Sequence, residues 1–124
     1  MIYLDTHIVV WLYAGLKEKF SLPAKKLINE NDLYVSPIVR LELQYLYEIQ
    51  RITVDSRIVI ADLSSRIALQ VCDNNFNAIV GLATEFSWTR DPFDRLIVAN
   101  ASLHDNILVS KDRNILAHYP HARW

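Results

Sequence analysis

The sequence predicts an α/β fold: a parallel sheet of four to five strands covered by helices on both faces. Three observations carry this. Short apolar, β-prone segments alternate with longer helical stretches along 124 residues. Hydrophobic residues make up 52% and charged residues 22%, enough apolar material for a sizeable core in one domain spanning residues 1–124. No repeat, low-complexity tract or Pro/Gly/Ser linker divides the chain. Parallel neighbours need a crossover, which is usually a helix, and that favours the layered arrangement.

Residues 1–4 are apolar and β-prone, and the run stops at Asp5. A helix follows over about residues 6–13, with Asp5 or Thr6 able to cap its first turn. Ser21-Leu22-Pro23 opens a second helix, with Pro23 early enough that its missing N–H costs little. Residues 32–36 read as a second strand, and Pro37 starts a helix running through Glu48. Residues 55–69 are helical, although Ile58, Ala61 or Asp62, Ser65 and Leu69 make no clean stripe. Residues 69–72 form a candidate short strand. The next helix covers about residues 75–86 and presents Phe76, Ile79, Val80 and Ala83 on one face. Asp91-Pro92 pairs an N-cap with proline at N1, leading into a helix that ends near His104. Residues 107–109 are the clearest buried strand, closed by Ser110. A short helix from Asp112 and an edge strand near Trp124 complete the order.

Several function classes are excluded at once. With only Gly15 and Gly81, no phosphate-cradling glycine loop and no G-x-S-x-G nucleophile elbow can be written. A net charge of −1 excludes a broadly basic nucleic-acid coat. The single cysteine, Cys72, rules out internal disulfides and a Cys-rich zinc site; it reads as a small buried hydrophobe. The longest apolar run, residues 8–16, is too short to span a bilayer, and no basic n-region opens the chain, so a cytoplasmic protein without a membrane partner is expected.

The acids point to a chemistry. Ligands of parallel α/β sheets bind outside the carboxyl ends of the strands. Asp5 lies just past the first strand and Asp112 three residues past Val109. Glu42 falls in the first two turns of the helix after strand two, and Asp94 in the first turn of the helix after Arg90. Glu42 has Ile38, Val39, Tyr45 and Leu46 as helical neighbours, so it shares an apolar face and needs a cation nearby. Each acid has a plainer role by itself: Asp5, Asp91 and Asp112 are all natural N-caps. Four carboxylates steered to one edge outweigh those separate explanations. Hard oxygen donors suit Mg²⁺ or Mn²⁺, and a dication among them favours phosphodiester hydrolysis. Arg40, Arg95, Lys111 and Arg113 each lie within two residues of these acids, and Arg90 lies next to Asp91; together they form an expected cationic rim for phosphates. Trp11, Tyr13, Tyr45 and Tyr47 read more readily as core than as a docking surface.

The segments Tyr3-Leu4-Asp5-Thr6-His7, Val39-Arg40-Leu41-Glu42-Leu43, the stretch from Arg90 to Ala101 and Leu108-Val109-Ser110-Lys111-Asp112 together resemble PIN-domain ribonucleases, and more closely VapC-type toxins. The resemblance implies a three-layer α/β/α PIN-like fold and a metal-dependent endoribonuclease using Mg²⁺ or Mn²⁺. It carries Asp5, Glu42, Asp94 and Asp112 over as catalytic and metal-binding acids, with Asp91 ranked below Asp94. Thr6, Arg40, Arg95, Ser110 and Arg113 are the expected substrate-binding residues. Thr6 is expected to orient Asp5 through its hydroxyl, and Ser110 stands where the family often has Thr. The implied partners are RNA, a second copy of the chain in a homodimer, and a small cognate antitoxin protein in a toxin–antitoxin hetero-oligomer.

Other classes fit less well. A haloacid-dehalogenase-like phosphatase needs a second Asp where His7 stands, and a receiver-like domain needs adjacent acids where Asp5-Thr6 supplies one. The non-enzyme alternative is a catalytically silent PIN-like module that binds RNA or a protein partner. Loss of catalysis usually shows as a missing acid, and none is missing.

Overall fold

In the computed structural model, which describes residues 1–124, five parallel strands alternate with seven helices. The strands are β1 (Ile2–Leu4), β2 (Leu33–Val35), β3 (Gln70–Val71), β4 (Leu108–Val109) and β5 (Ala122–Arg123). The helices are α1 (Thr6–Ala14), α2 (Leu22–Glu30), α3 (Pro37–Glu48), α4 (Ser56–Ile67), α5 (Phe76–Ala83), α6 (Pro92–Ser102) and α7 (Arg113–His118). A single 3₁₀ turn at Lys17–Lys19 links α1 to α2.

The sheet order is β3-β2-β1-β4-β5, with every pairing parallel. Tyr3 lies opposite Tyr34 on one side and Leu108 on the other. As the central strand, β1 is covered on both faces, which is why it is a continuous apolar run rather than an alternating one. Right-handed crossovers put the connections to β2 and β3 on one face and those to β4 and β5 on the other. In the contacts α1, α3 and α4 pack together and α5 packs on α6, while α3 also meets α6. The order therefore reverses between β1 and β4, and the crevice outside their carboxyl ends is the topological switch point.

The helix starts are chemically uniform. Asp5, Ser21, Ser36, Asp55, Asn75, Asp91 and Asp112 each place a side-chain oxygen on a first-turn N–H, meeting donors that the helix itself leaves unpaired. Gly15 ends α1 at φ 69°, the left-handed position that suits glycine.

Three expectations change. The buried face of α4 is Ser56, Val59 and Leu63, one position off the residues first considered, so its stripe is regular after all. Phe76, expected inside, is 60% exposed, because α5 packs toward α6 through Ile79 and Ala83, with Leu82 beside them. Cys72 is half-buried and donates from Sγ to Asn100 Oδ1 at 3.3 Å instead of packing as a plain hydrophobe. It belongs to a polar group in which Asn74 Nδ2 donates to both the Tyr3 hydroxyl and Asn100 Oδ1, tying β1 to α6. No helix is long and apolar enough to cross a membrane.

Candidate active site

Asp5 is the first residue beyond β1 and is held at both carboxylate oxygens. The backbone N–H of Thr6 donates to Oδ1 and the Ser110 hydroxyl to Oδ2, both at 2.8 Å. The residue is buried, and that burial pushes its carboxyl above the ordinary range against the opposing pull of the two hydrogen bonds. Ser110 also accepts the Asp112 N–H at 3.1 Å, so one hydroxyl links the ends of β1 and β4 across the switch point.

Glu42 sits in the second turn of α3 between the buried Val39 and Leu43, and is itself only 8% exposed. No basic side chain forms an ion pair with it: the ion pair of the chain is Arg66–Asp62, elsewhere on α4. Its partner is the Thr6 hydroxyl, which donates to Oε1. That also corrects the role expected of Thr6, whose hydroxyl orients Glu42 while its backbone holds Asp5. Burial again raises the Glu42 carboxyl, and the charges of Asp5 and Asp91 add to the effect.

Asp91 caps α6, accepting from the N–H groups of Phe93 and Asp94. Asp94, at the third helical position, is half-buried and its carboxyl is pushed up to about 7. Burial is the main cause, followed by the charges of Asp91, Asp5, Asp112 and Glu42. Asp112 is exposed and caps α7 through the Ile115 N–H at 3.0 Å. The four expected acids, with Asp91, thus share one electrostatic neighbourhood. The exposed imidazole of His7 lowers both Asp5 and Glu42, an influence that its place two residues after Asp5 made foreseeable.

The rim is less uniform. Arg40 is two positions from Glu42, hence on the far side of α3, and lines a shallow groove with Gln44, Asp55 and Arg57. Arg95 donates from Nε to the Thr89 carbonyl at 2.8 Å, and Arg90 from Nη1 to the Ser87 carbonyl at 3.1 Å, so both brace the loop before α6. Arg113, the first residue of α7, is exposed beside Asp112. Tyr45 and Tyr47 are also exposed, with Tyr45 against Phe93 at 5.9 Å, whereas Trp11 and Tyr13 pack on the core.

Carboxylates that repel one another without a basic partner suit a hard dication in their donor chemistry. The side chains stand apart, however: no three His, Cys, Asp or Glu residues are gathered closely enough to hold an ion. The residues fit the cation by charge and donor type, since the acids at this sheet edge raise one another's carboxyls through their charges.

A parallel sheet in the order β3-β2-β1-β4-β5, with acids at its switch point, is a PIN-like α/β/α fold. The family model for the PIN domain matches residues 2–121, and the chain belongs to that family. It is 31% identical over 121 residues to Ribonuclease VapC22 of Mycobacterium tuberculosis (strain ATCC 25618 / H37Rv), covering 94% of this chain and 91% of that one. Among solved structures, VapBC2 from Rickettsia felis bound to a promoter DNA fragment superposes with a TM-score of 0.67 at 23% identity, covering 98% of this chain and 96% of that one. A toxin–antitoxin complex from Klebsiella pneumoniae gives 0.66 at 15% identity, over 100% and 97%. At those identities the structural likeness bears on the fold.

Proposed function

We propose that the chain is a cytoplasmic, divalent-metal-dependent endoribonuclease, the toxin of a toxin–antitoxin pair, acting as one PIN domain over residues 1–124. The observation that carries this is the mutual charge influence of Asp5, Glu42 and Asp94 at the switch point, each carboxyl raised by burial and none in an ion pair with a basic side chain. The ribonuclease name of the 31% relative supports the reaction, and the toxin–antitoxin structures support the partner.

Asp5, Glu42, Asp94 and Asp112 would hold Mg²⁺ or Mn²⁺. When bound, the cation relieves the repulsion among them, activates water and stabilises charge on a phosphate oxygen. The chain supplies preorganisation. Ser110 and the Thr6 N–H fix both oxygens of Asp5, and the Thr6 hydroxyl fixes Glu42. Burial of these two acids keeps water from screening them. Arg113 stands at the exposed side, where an RNA phosphate would approach. The antitoxin is a small protein that masks this edge, and the toxin pairs with a second copy of itself.

The test is cleavage of a structured RNA by protein freed of co-purified inhibitor, with Mg²⁺ or Mn²⁺, with EDTA, and with the Asp5→Asn and Glu42→Gln variants. Metal-dependent cutting lost in both variants supports the proposal. Binding of RNA or of a partner without any cutting would favour a catalytically silent module. Cutting that survives both substitutions would indicate a contaminant and remove the support.

A further inference from the structure

Trp11 on α1, Phe20 after the 3₁₀ turn and Trp124 just past β5 form an aromatic triangle, with ring centroids 5.8–6.1 Å apart. Two ammonium groups rest on it. Lys19 Nζ lies 5.2 Å from the Trp11 ring, and Lys111 Nζ lies 5.9 Å from Trp11 and 5.7 Å from Trp124. Lys111 is the residue between Ser110 and Asp112, both of which take part in the acidic centre. Because all strands are parallel, Trp124 and Lys111 stand at the same sheet edge as Asp5.

Lys111 therefore has Asp112 next to it in sequence and shares a sheet edge with Asp5, yet forms an ion pair with neither. Lys19 likewise stands next to Glu18 without pairing with it. The aromatic faces hold both cations away from the carboxylates. This leaves the pocket anionic and the two ammonium groups available to a different anion. We infer that Lys19 and Lys111, seated on the Trp11–Phe20–Trp124 triangle, form a phosphate-binding subsite for single-stranded RNA beside the acidic centre. The inference rests on the ribonuclease reading and adds where the substrate backbone lies: it passes over the Trp11–Trp124 side of the pocket, with bases free to stack at the half-exposed aromatic edges.

The experiment measures binding of a fluorescein-labelled, mixed-sequence single-stranded RNA by anisotropy between 50 and 200 mM salt. An Asp94→Asn background prevents cutting, and it is compared with the same protein carrying Lys19→Met and Lys111→Met. Methionine keeps an apolar stem against the rings, and circular dichroism checks the fold. Each phosphate contact to single-stranded nucleic acid contributes about 0.7 to the log–log salt slope, so losing two should lower it by about 1.4, with at least roughly tenfold weaker binding. An unchanged slope and affinity would overturn the subsite. If the intact chain still cuts this RNA, the ribonuclease reading survives that result; if it neither binds nor cuts, both fall. A lysine pair that leaves the RNA slope unchanged but abolishes co-purification of a co-expressed antitoxin would make the patch a protein-docking surface and overturn the RNA assignment.

Discussion

Ser110 Oγ donates to Asp5 Oδ2 at 2.8 Å, joining the carboxyl ends of β1 and β4 through residues 105 positions apart. The same oxygen receives the Asp112 N–H, so one buried hydroxyl organises two of the four acids. Ser110→Ala removes both bonds and should cost about 1–3 kcal/mol in urea unfolding, with reduced cleavage. Ser110→Thr keeps the hydroxyl and should retain most of both. An alanine variant as stable as the wild type would show that the bridge contributes nothing.

Thr6 serves Glu42 in the same way. Thr6→Val keeps the shape and deletes the donor, leaving a buried carboxylate without its partner, at a cost of about 1–3 kcal/mol. Thr6→Ser should lie near the wild type. Equal stability of the valine and serine variants would contradict the assigned bond.

Asp94 is held among like charges, so removing its charge should help the metal-free fold while harming function. Asp94→Asn is expected to raise the melting temperature in EDTA at pH 8 by about 5 °C and to abolish cleavage. A lower melting temperature in that buffer would mean that Asp94 forms a stabilising contact and not a repulsive one.

The raised carboxyls of Asp5, Glu42 and Asp94 bind protons more tightly folded than unfolded. Their contribution is therefore fully present below the unfolded value and is lost as pH rises through the folded one. For Asp94 that window runs from 3.8 to about 7. With EDTA present, stability should fall between pH 5 and 8 by about 1–2 kcal/mol, a figure already reduced for the solvent that reaches Asp94. Thermal unfolding across that range checks the sign, and stability that climbed from pH 5 to 8 would contradict it.

Divalent cations should reverse that loss. Saturating Mg²⁺ or Mn²⁺ at one hundred times its dissociation constant adds about 2.7 kcal/mol at pH 8 through linkage. The gain should shrink in Asp5→Asn, and a gain of equal size in that variant would place the ion elsewhere.

Much of the fold is legible along the chain because its signals are local. Asp91-Pro92 announces a helix start, and Asp94 falls at its third position, as expected. Ser36-Pro37 does the same for α3. The apolar runs of β1 and β4 are short and rich in β-formers, as buried parallel strands are. Periodicity misled where few residues carry the face: α5 buries only Ile79 and Ala83, so Phe76 could not be placed from its spacing alone.

The site divides along the same line. Residue types and order were enough to direct Asp5, Glu42, Asp94 and Asp112 to one sheet edge, because each follows a recognisable strand or cap. Which group satisfies each acid was decided only in three dimensions. The Thr6 hydroxyl could have turned to its neighbour Asp5, yet it meets Glu42, 36 positions away, while no basic side chain pairs with that glutamate. Arg40 and Arg95 lie near acids in sequence and serve other surfaces, since helical rotation and a nearby carbonyl set where each guanidinium goes. Caps, turns and apolar runs depend on a few consecutive residues. Side-chain partnership depends on how separate segments come to lie against one another, and that is settled only when the sheet and its crossovers have packed.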